Sequence, residues 1–136
     1  MAAHVQGRAA TTELVSTKGD AVFAPLAPDE AGAIWQGWWA AWGRGMRDAL
    51  PVDIKAAGAW LRSGADRTPG GGAWQAARDA YDGAAQRDLY LRRCYPDFDS
   101  LVRDGRFFDL AIGLYGALAQ VLPRKAGRRP AQGVSA

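Results

Sequence analysis

The stretch Tyr90 to Leu122 restricts the folds open to this chain more than any other, because a proline and a glycine cut it into helical pieces of defined length. Pro96 lacks an N–H and crowds the turn before it, so a helix through Leu89 and Cys94 is expected to end near Tyr95. Asp97 can accept from the exposed N–H groups of a new short helix carrying Phe98, Leu101 and Val102. Gly105 interrupts that helix. Phe107, Leu110, Ala111, Leu114, Leu118 and Val121 then recur at spacings of three and four, which places them on one face of a final helix. Pro123 ends it.

Upstream, the same punctuation sets out the rest. Thr11 to Leu26 carries β-favouring residues on both sides of Thr17-Lys18-Gly19-Asp20, a pattern for a short hairpin. A two-stranded hairpin is marginal in water, so it needs a surface to lie on. Pro28 suits a first helical position, and Asp29 and Glu30 fall where the helix dipole favours negative charge. The helix from there is expected to run to about Leu50. Ile34, Trp38, Trp42 and Met46 step by four along it, and Trp35 and Trp39 widen the stripe. Read simply, this stripe is a core face. The alternative is a partner surface, because one amphipathic helix in a small chain rarely needs four indoles to bury itself.

Leu50-Pro51 breaks the chain, and Ile54, Ala57 and Leu61 mark the next helical face, stopped by Gly64. Residues 63 to 72 hold four Gly and one Pro and are expected to form the most flexible internal loop. Trp74, Ala77 and Tyr81 mark a further short helix, with Gly83 as its expected cap. No internal repeat is visible.

Composition bounds what such a helical chain can do. Its 136 residues suffice for one domain with a modest core, and a hydrophobic content of 49% is too high for a disordered chain. Cys94 is the only cysteine, so no intrachain disulfide forms, which suits a reducing compartment. The first residues lack the apolar core of a secretion signal, and no apolar run approaches the ~20 residues needed to span a bilayer. A cytoplasmic location is therefore expected. The net charge of +3 is concentrated at the C-terminus, in Arg124, Lys125, Arg128 and Arg129. Without those four the chain has 13 basic and 14 acidic residues, so its body is not an obvious electrostatic platform for nucleic acid. The tail is read as a solvated, disordered end that could touch phosphates.

The motifs of familiar chemistry are missing. His4 is the only histidine, which excludes a histidine triad or a multi-histidine metal site within the chain. Gly70-Gly71-Gly72 lacks the spacing of a dinucleotide loop and reads as a linker. Asp53-Ile54-Lys55 has the Asp-x-Lys form of metal-dependent nucleases, in which carboxylates hold a metal that activates water beside a phosphate. Here, however, Pro96-Asp97 follows it rather than precedes it, and both pieces fall at expected helix starts. Asp53, Asp97 and Asp99 therefore read as first-turn or capping residues. No catalytic, cofactor-binding or metal-binding residue is assigned, and no cofactor is expected.

The run from Asp88 through Cys94-Tyr95-Pro96-Asp97-Phe98-Asp99 to Leu101, followed by Gly105-Arg106-Phe107 and Leu114-Tyr115-Gly116-Ala117-Leu118, resembles the C-terminal end of the exodeoxyribonuclease V gamma subunit, RecC of the RecBCD helicase–nuclease. Phe23 to Ala31, Ala49-Leu50-Pro51-Val52, Ala59-Trp60-Leu61 and Ala76 to Gly83 are similar to further segments of that family in the same order. The resemblance runs from about Thr11 to Leu122. It departs at Gly116-Ala117, where the family has a proline, and at Tyr81-Asp82-Gly83, where the family has tyrosine-glutamate-glycine. The family's subunit is far longer, so the resemblance implies a piece of one.

What the resemblance implies is a mainly α fold: the helical C-terminal portion of an inactive nuclease-like α/β domain, with a short N-terminal β-hairpin. Residues 1–10 would be a flexible N-terminus and 11–122 the RecC-like region, with the hairpin at 11–26 and helices over 28–122. Residues 123–136 would be a basic disordered tail. The implied role is a non-catalytic scaffold in DNA double-strand break repair and recombination. Its partners would be RecB-like and RecD-like subunits, the upstream part of the RecC-like subunit, and DNA through the full complex. No family site residue falls within the matched stretch. The rival expectation is a free-standing helical adaptor that binds a partner through its Trp-rich helix.

Overall fold

The computed structural model describes residues 10–15 and 21–121. The expected N-terminal flexibility, the hairpin turn, Pro123 and the basic tail lie largely outside them. Among the described residues the chain is mainly helical, with one two-stranded antiparallel hairpin. Strands β1 (Thr12–Leu14) and β2 (Ala21–Phe23) pair with Glu13 opposite Val22. Six helices follow: α1 (Pro28–Gly45), α2 (Ile54–Arg62), α3 (Gly72–Ala85), α4 (Leu89–Cys94), α5 (Phe98–Val102) and α6 (Arg106–Val121).

The core forms where α2 meets α3 and α6, with α5 closing against α3 and α6. Trp60, Tyr81, Phe98, Leu101 and Phe107 are fully buried there, among Ala56, Ala57, Ala73, Ala77 and Ala111. The alanines let the helices approach closely enough for the aromatic rings to interlock. Trp60 lies 5.0 Å from Phe108 and 6.3 Å from Phe107, while Trp74 meets Phe98 edge-on at 5.5 Å. Phe98 meets Phe107 edge-on at 5.9 Å. Such edge-to-face pairs contribute about 0.5–1.5 kcal/mol each beyond their buried area.

The helix boundaries follow local chemistry. Asp53 accepts from the N–H groups of Lys55 and Ala56 at 3.0 and 2.8 Å and starts α2. Gly64, at φ +101°, ends it: the Ala65 N–H reaches back to the Trp60 carbonyl and the Gly64 N–H to that of Leu61. Asp88 caps α4, and Tyr95 follows that helix in an extended conformation, as Pro96 requires. Asp97 and Ser100 form a reciprocal capping box on α5. Gly105, at φ +74°, separates α5 from α6 in a conformation that a side chain would strain.

Several expectations need correction. Helix α1 ends at Gly45 rather than near Leu50. Gly43 and Gly45 weaken its last turn, and the chain folds back so that a Cβ on Gly45 would come within 3.3 Å of Leu50. On α2 the buried face is Ala56, Ala57 and Trp60, whereas Ile54 is exposed and Leu61 half-buried. Ile54 is the first residue after the Asp53 cap, where the helix has barely entered the core. Gly83 lies inside α3, which continues to bury Ala84 and Ala85. Gly71 and Gly72 open that helix rather than serve as a plain linker.

The glycine-rich loop is also more tightly held than expected. The Trp60 indole N–H donates to the Asp66 carbonyl at 2.8 Å, and the Asp66 carboxylate accepts from both the N–H and the hydroxyl of Thr68. Arg67 pairs with Asp109 on α6. Farther along, the Tyr81 hydroxyl donates to the Tyr95 carbonyl, and the Tyr95 hydroxyl donates to the Ala49 carbonyl at 2.7 Å. That relay ties the turn after α4 to the segment leaving α1.

Candidate docking face

Helix α1 begins with Pro28, whose missing N–H has no partner to lose at this position, and carries Asp29 and Glu30 in its first turn. Among the described helices and strands it packs on α6 alone, and β2 rests on the same helix. The contact is made with small residues: Ala31 and Ala41 are buried, Ile34 is half-buried, and Trp38 lies at the margin. These four positions follow one another at intervals of three, four and three, which defines a straight seam along a helix.

Apart from Trp38, which the two share, the tryptophan stripe runs beside that seam rather than on it. A side chain four positions on is rotated by about 40° from its predecessor, because a turn takes 3.6 residues. The series Ile34, Trp38, Trp42, Met46 therefore winds away from α6. Trp35, Trp38, Trp39 and Trp42 are 47%, 39%, 63% and 57% exposed, against none for Trp60. The core-face expectation for this stripe is thus overturned. The α1–α6 contact uses alanines, which allow a close approach, and leaves the indoles at its flank.

The exposed rings form an ordered surface. Trp39 and Trp42 stack with centroids 5.0 Å apart, and the four indoles line a groove of about 240 Å³ whose walls are almost wholly apolar. No charged residue lies between Glu30 and Arg44. Gly32 and Gly43 share a face with Trp39, at spacings of seven and four, and a Cβ added to either would meet nothing. Leaving a large apolar side chain in water forgoes roughly 2 kcal/mol of burial, so four partly bare indoles represent a large unused driving force. Large contiguous exposed apolar patches are a mark of contact sites.

The residues weighed for nuclease chemistry are occupied otherwise. Asp53 caps α2, and Lys55 supplies a backbone N–H to that cap. Asp97 caps α5. Asp99 lies in the first turn of α5 without capping it and pairs with Arg78, whose guanidinium also lies over the Phe98 ring at 5.5 Å. Among the described residues no group of three or more His, Cys, Asp or Glu side chains is placed to hold a metal ion. Nor is any described helix long and apolar enough to cross a membrane. The tryptophan face, lined by Trp35, Trp38, Trp39 and Trp42, carries no titratable group. The exposure of that face could have been inferred from the Ala31–Ile34–Trp38–Ala41 spacing, which supplies a separate seam beside the indoles. Compared with known proteins, the chain matches no protein-family model, no curated protein and no solved structure.

Proposed function

We propose that this chain is a non-catalytic docking module that acts as the scaffold portion of a RecC-like subunit of the exodeoxyribonuclease V helicase–nuclease. It would work in the cytoplasm, in DNA double-strand break repair and recombination. The observation that carries the docking role is the uncovered tryptophan face of α1. The RecC-like assignment rests on the ordered series of sequence segments from Thr11 to Leu122. In that reading the face meets the upstream portion of the subunit, RecB-like and RecD-like subunits complete the assembly, and DNA is engaged by the whole complex.

The test is to express the chain with the polypeptide encoded immediately upstream of it. A RecC-like upstream product that forms a stoichiometric complex, with the α1 indoles shielded, supports the reading; an unrelated product that does not bind refutes it. The chain alone should bind DNA weakly, through few phosphates, and removal of residues 124–136 should abolish most of that binding. Tight binding by the truncated body at physiological salt would contradict the charge argument.

A second reading, the free-standing adaptor, is favoured by the closure of the aromatic core. Trp60, Tyr81, Phe98 and Phe107 are sealed without help from any other chain, so the core has no need of an upstream portion.

A further inference from the structure

We propose that α1 is a strap: a helix that opens from α6 as one unit while the core of α2, α3, α5 and α6 stays folded. The inference concerns the helix itself. It stands whichever partner meets the tryptophans, and it is tested on the chain alone.

The first observation is the glycines. Helix α1 holds Gly32, Gly37, Gly43 and Gly45 within its 18 residues. Gly45 has a packing reason, since Leu50 folds back against it. The other three have none. A Cβ added to Gly32, Gly37 or Gly43 would meet no atom within 4 Å, and none of the three has a positive φ. Each therefore costs the helix backbone entropy without allowing any close approach. Against alanine, that is a roughly two- to fivefold loss in the helix equilibrium per position.

The second observation is the lack of local support. Ala27 gives α1 no side-chain cap, whereas Asp53, Asp88 and Asp97 cap α2, α4 and α5. Asp29, Glu30 and Arg44 are the only charges of α1, and none lies three or four positions from one of opposite sign. No ion pair therefore runs along the helix. What favours it locally is Pro28 and the charges at its two ends. Isolated helices shorter than roughly 12–15 residues are marginal in water even when rich in alanine. Four glycines and a missing cap make α1 weaker still, so once off α6 it loses its helix as well.

The third observation is how α1 is held. It buries only Ala31 and Ala41 fully, whereas α2 sinks Trp60 and α3 sinks Tyr81. Its apolar hold on α6 is correspondingly small. Just beyond the helix the chain is fixed again: the Ala49 carbonyl accepts from the Tyr95 hydroxyl, and Pro51 is buried. The opening unit therefore ends at residues 46–48. Closed, the strap covers α6 and presents its indoles. Open, it bares the side of α6 that Ala31, Ile34 and Ala41 cover.

Native-state amide exchange, read by NMR on the full chain in dilute solution, tests this. The amides of α1 should exchange together, through one opening at least about tenfold more frequent than that which exposes α2 and α3. Gly32→Ala with Gly37→Ala and Gly43→Ala should slow exchange across α1 by roughly ten- to a hundredfold, since each added methyl meets open space. Asp97→Ala, which loosens the core, should speed exchange in α2 and α3 by about fivefold and leave α1 unchanged. Amides of α1 that exchange only with the core, or that speed up with it in Asp97→Ala, overturn the proposal. Exchange that frays inward from the helix ends also overturns it, as does a triple alanine variant whose α1 is no better protected. Failure of the upstream polypeptide to bind would refute the RecC-like reading and leave the strap standing.

Discussion

Trp60 and Trp39 are the same residue in two different situations, and the regions that hold them divide the molecule. Trp60 sits in the α2–α3–α5–α6 unit, fully buried, its indole N–H satisfied by the Asp66 carbonyl. Trp39 sits on α1, 63% exposed, its ring stacked only on Trp42 of the same helix. In the first region alanines on α2, α3 and α6 leave space that aromatic rings fill. In the second, alanines on α1 leave space that α6 itself fills, and the rings are turned outward. Where the small residues sit thus decides which large ones are enclosed. Hydrophobicity alone does not.

The contrast should appear directly in stability. Trp60→Ala removes the centre of the aromatic cluster and opens a cavity, for an expected loss of about 3–5 kcal/mol, enough to unfold a marginal domain. Trp39→Ala should change stability by no more than about 0.5 kcal/mol in dilute solution, as for other surface substitutions. Urea denaturation of both variants makes the comparison, and equal losses would erase the distinction between the regions. Next in size is Ala41→Leu, which forces bulk into the α1–α6 seam. Overpacking of this kind typically costs about 1–3 kcal/mol. Here it should speed amide exchange in α1 while leaving α2 and α3 protected.

Asp97→Ala probes the closed region at its edge. It removes one half of the capping box with Ser100 and should cost about 1 kcal/mol, read as a lower urea midpoint with unchanged slope. A pH series probes the same region by another route. Burial raises the pKa of the Tyr81 hydroxyl above its ordinary value of 10.0, with Asp97, Asp82 and Asp53 adding to the shift. Burial likewise raises Tyr95 and Tyr115. A group whose pKa is raised by folding gives its full stabilisation below the unfolded value and loses it as pH climbs toward the folded one. Urea midpoints should therefore hold to about pH 10 and fall above it. Tyr81→Phe should flatten part of that fall, at the expense of the bond to the Tyr95 carbonyl. A midpoint that rises above pH 10 would contradict the burial of these hydroxyls.

Much of the framework was legible because the local rules are strong. Pro96, Asp97 and Gly105 each impose a backbone condition that neighbours rarely override, and the boundaries of α4, α5 and α6 follow them. The hairpin was legible for the same reason. The face of α1 was harder to assign. Two stripes run along it, one of alanines and one of indoles, about a quarter-turn apart. Periodicity identifies both but does not say which meets the rest of the chain, since that depends on how closely α6 approaches. Trp60 escaped notice as the core residue of α2 because Ile54 and Leu61 fit the spacing equally well. Its burial depends on Phe107 and Phe108, almost fifty residues away in sequence. The stretch from Ser63 to Gly72 read as loose from its glycines, whereas side-chain bonds from Trp60, Thr68 and Arg67 hold it up to the start of α3.

The most direct test of the two-region account is acrylamide quenching of tryptophan fluorescence in dilute protein. The account predicts two classes of indole in dilute solution: a shielded class from Trp60 and the half-buried Trp74, and an accessible class from the four tryptophans of α1. A single shielded class would place the α1 face inside the chain's own fold and contradict the account.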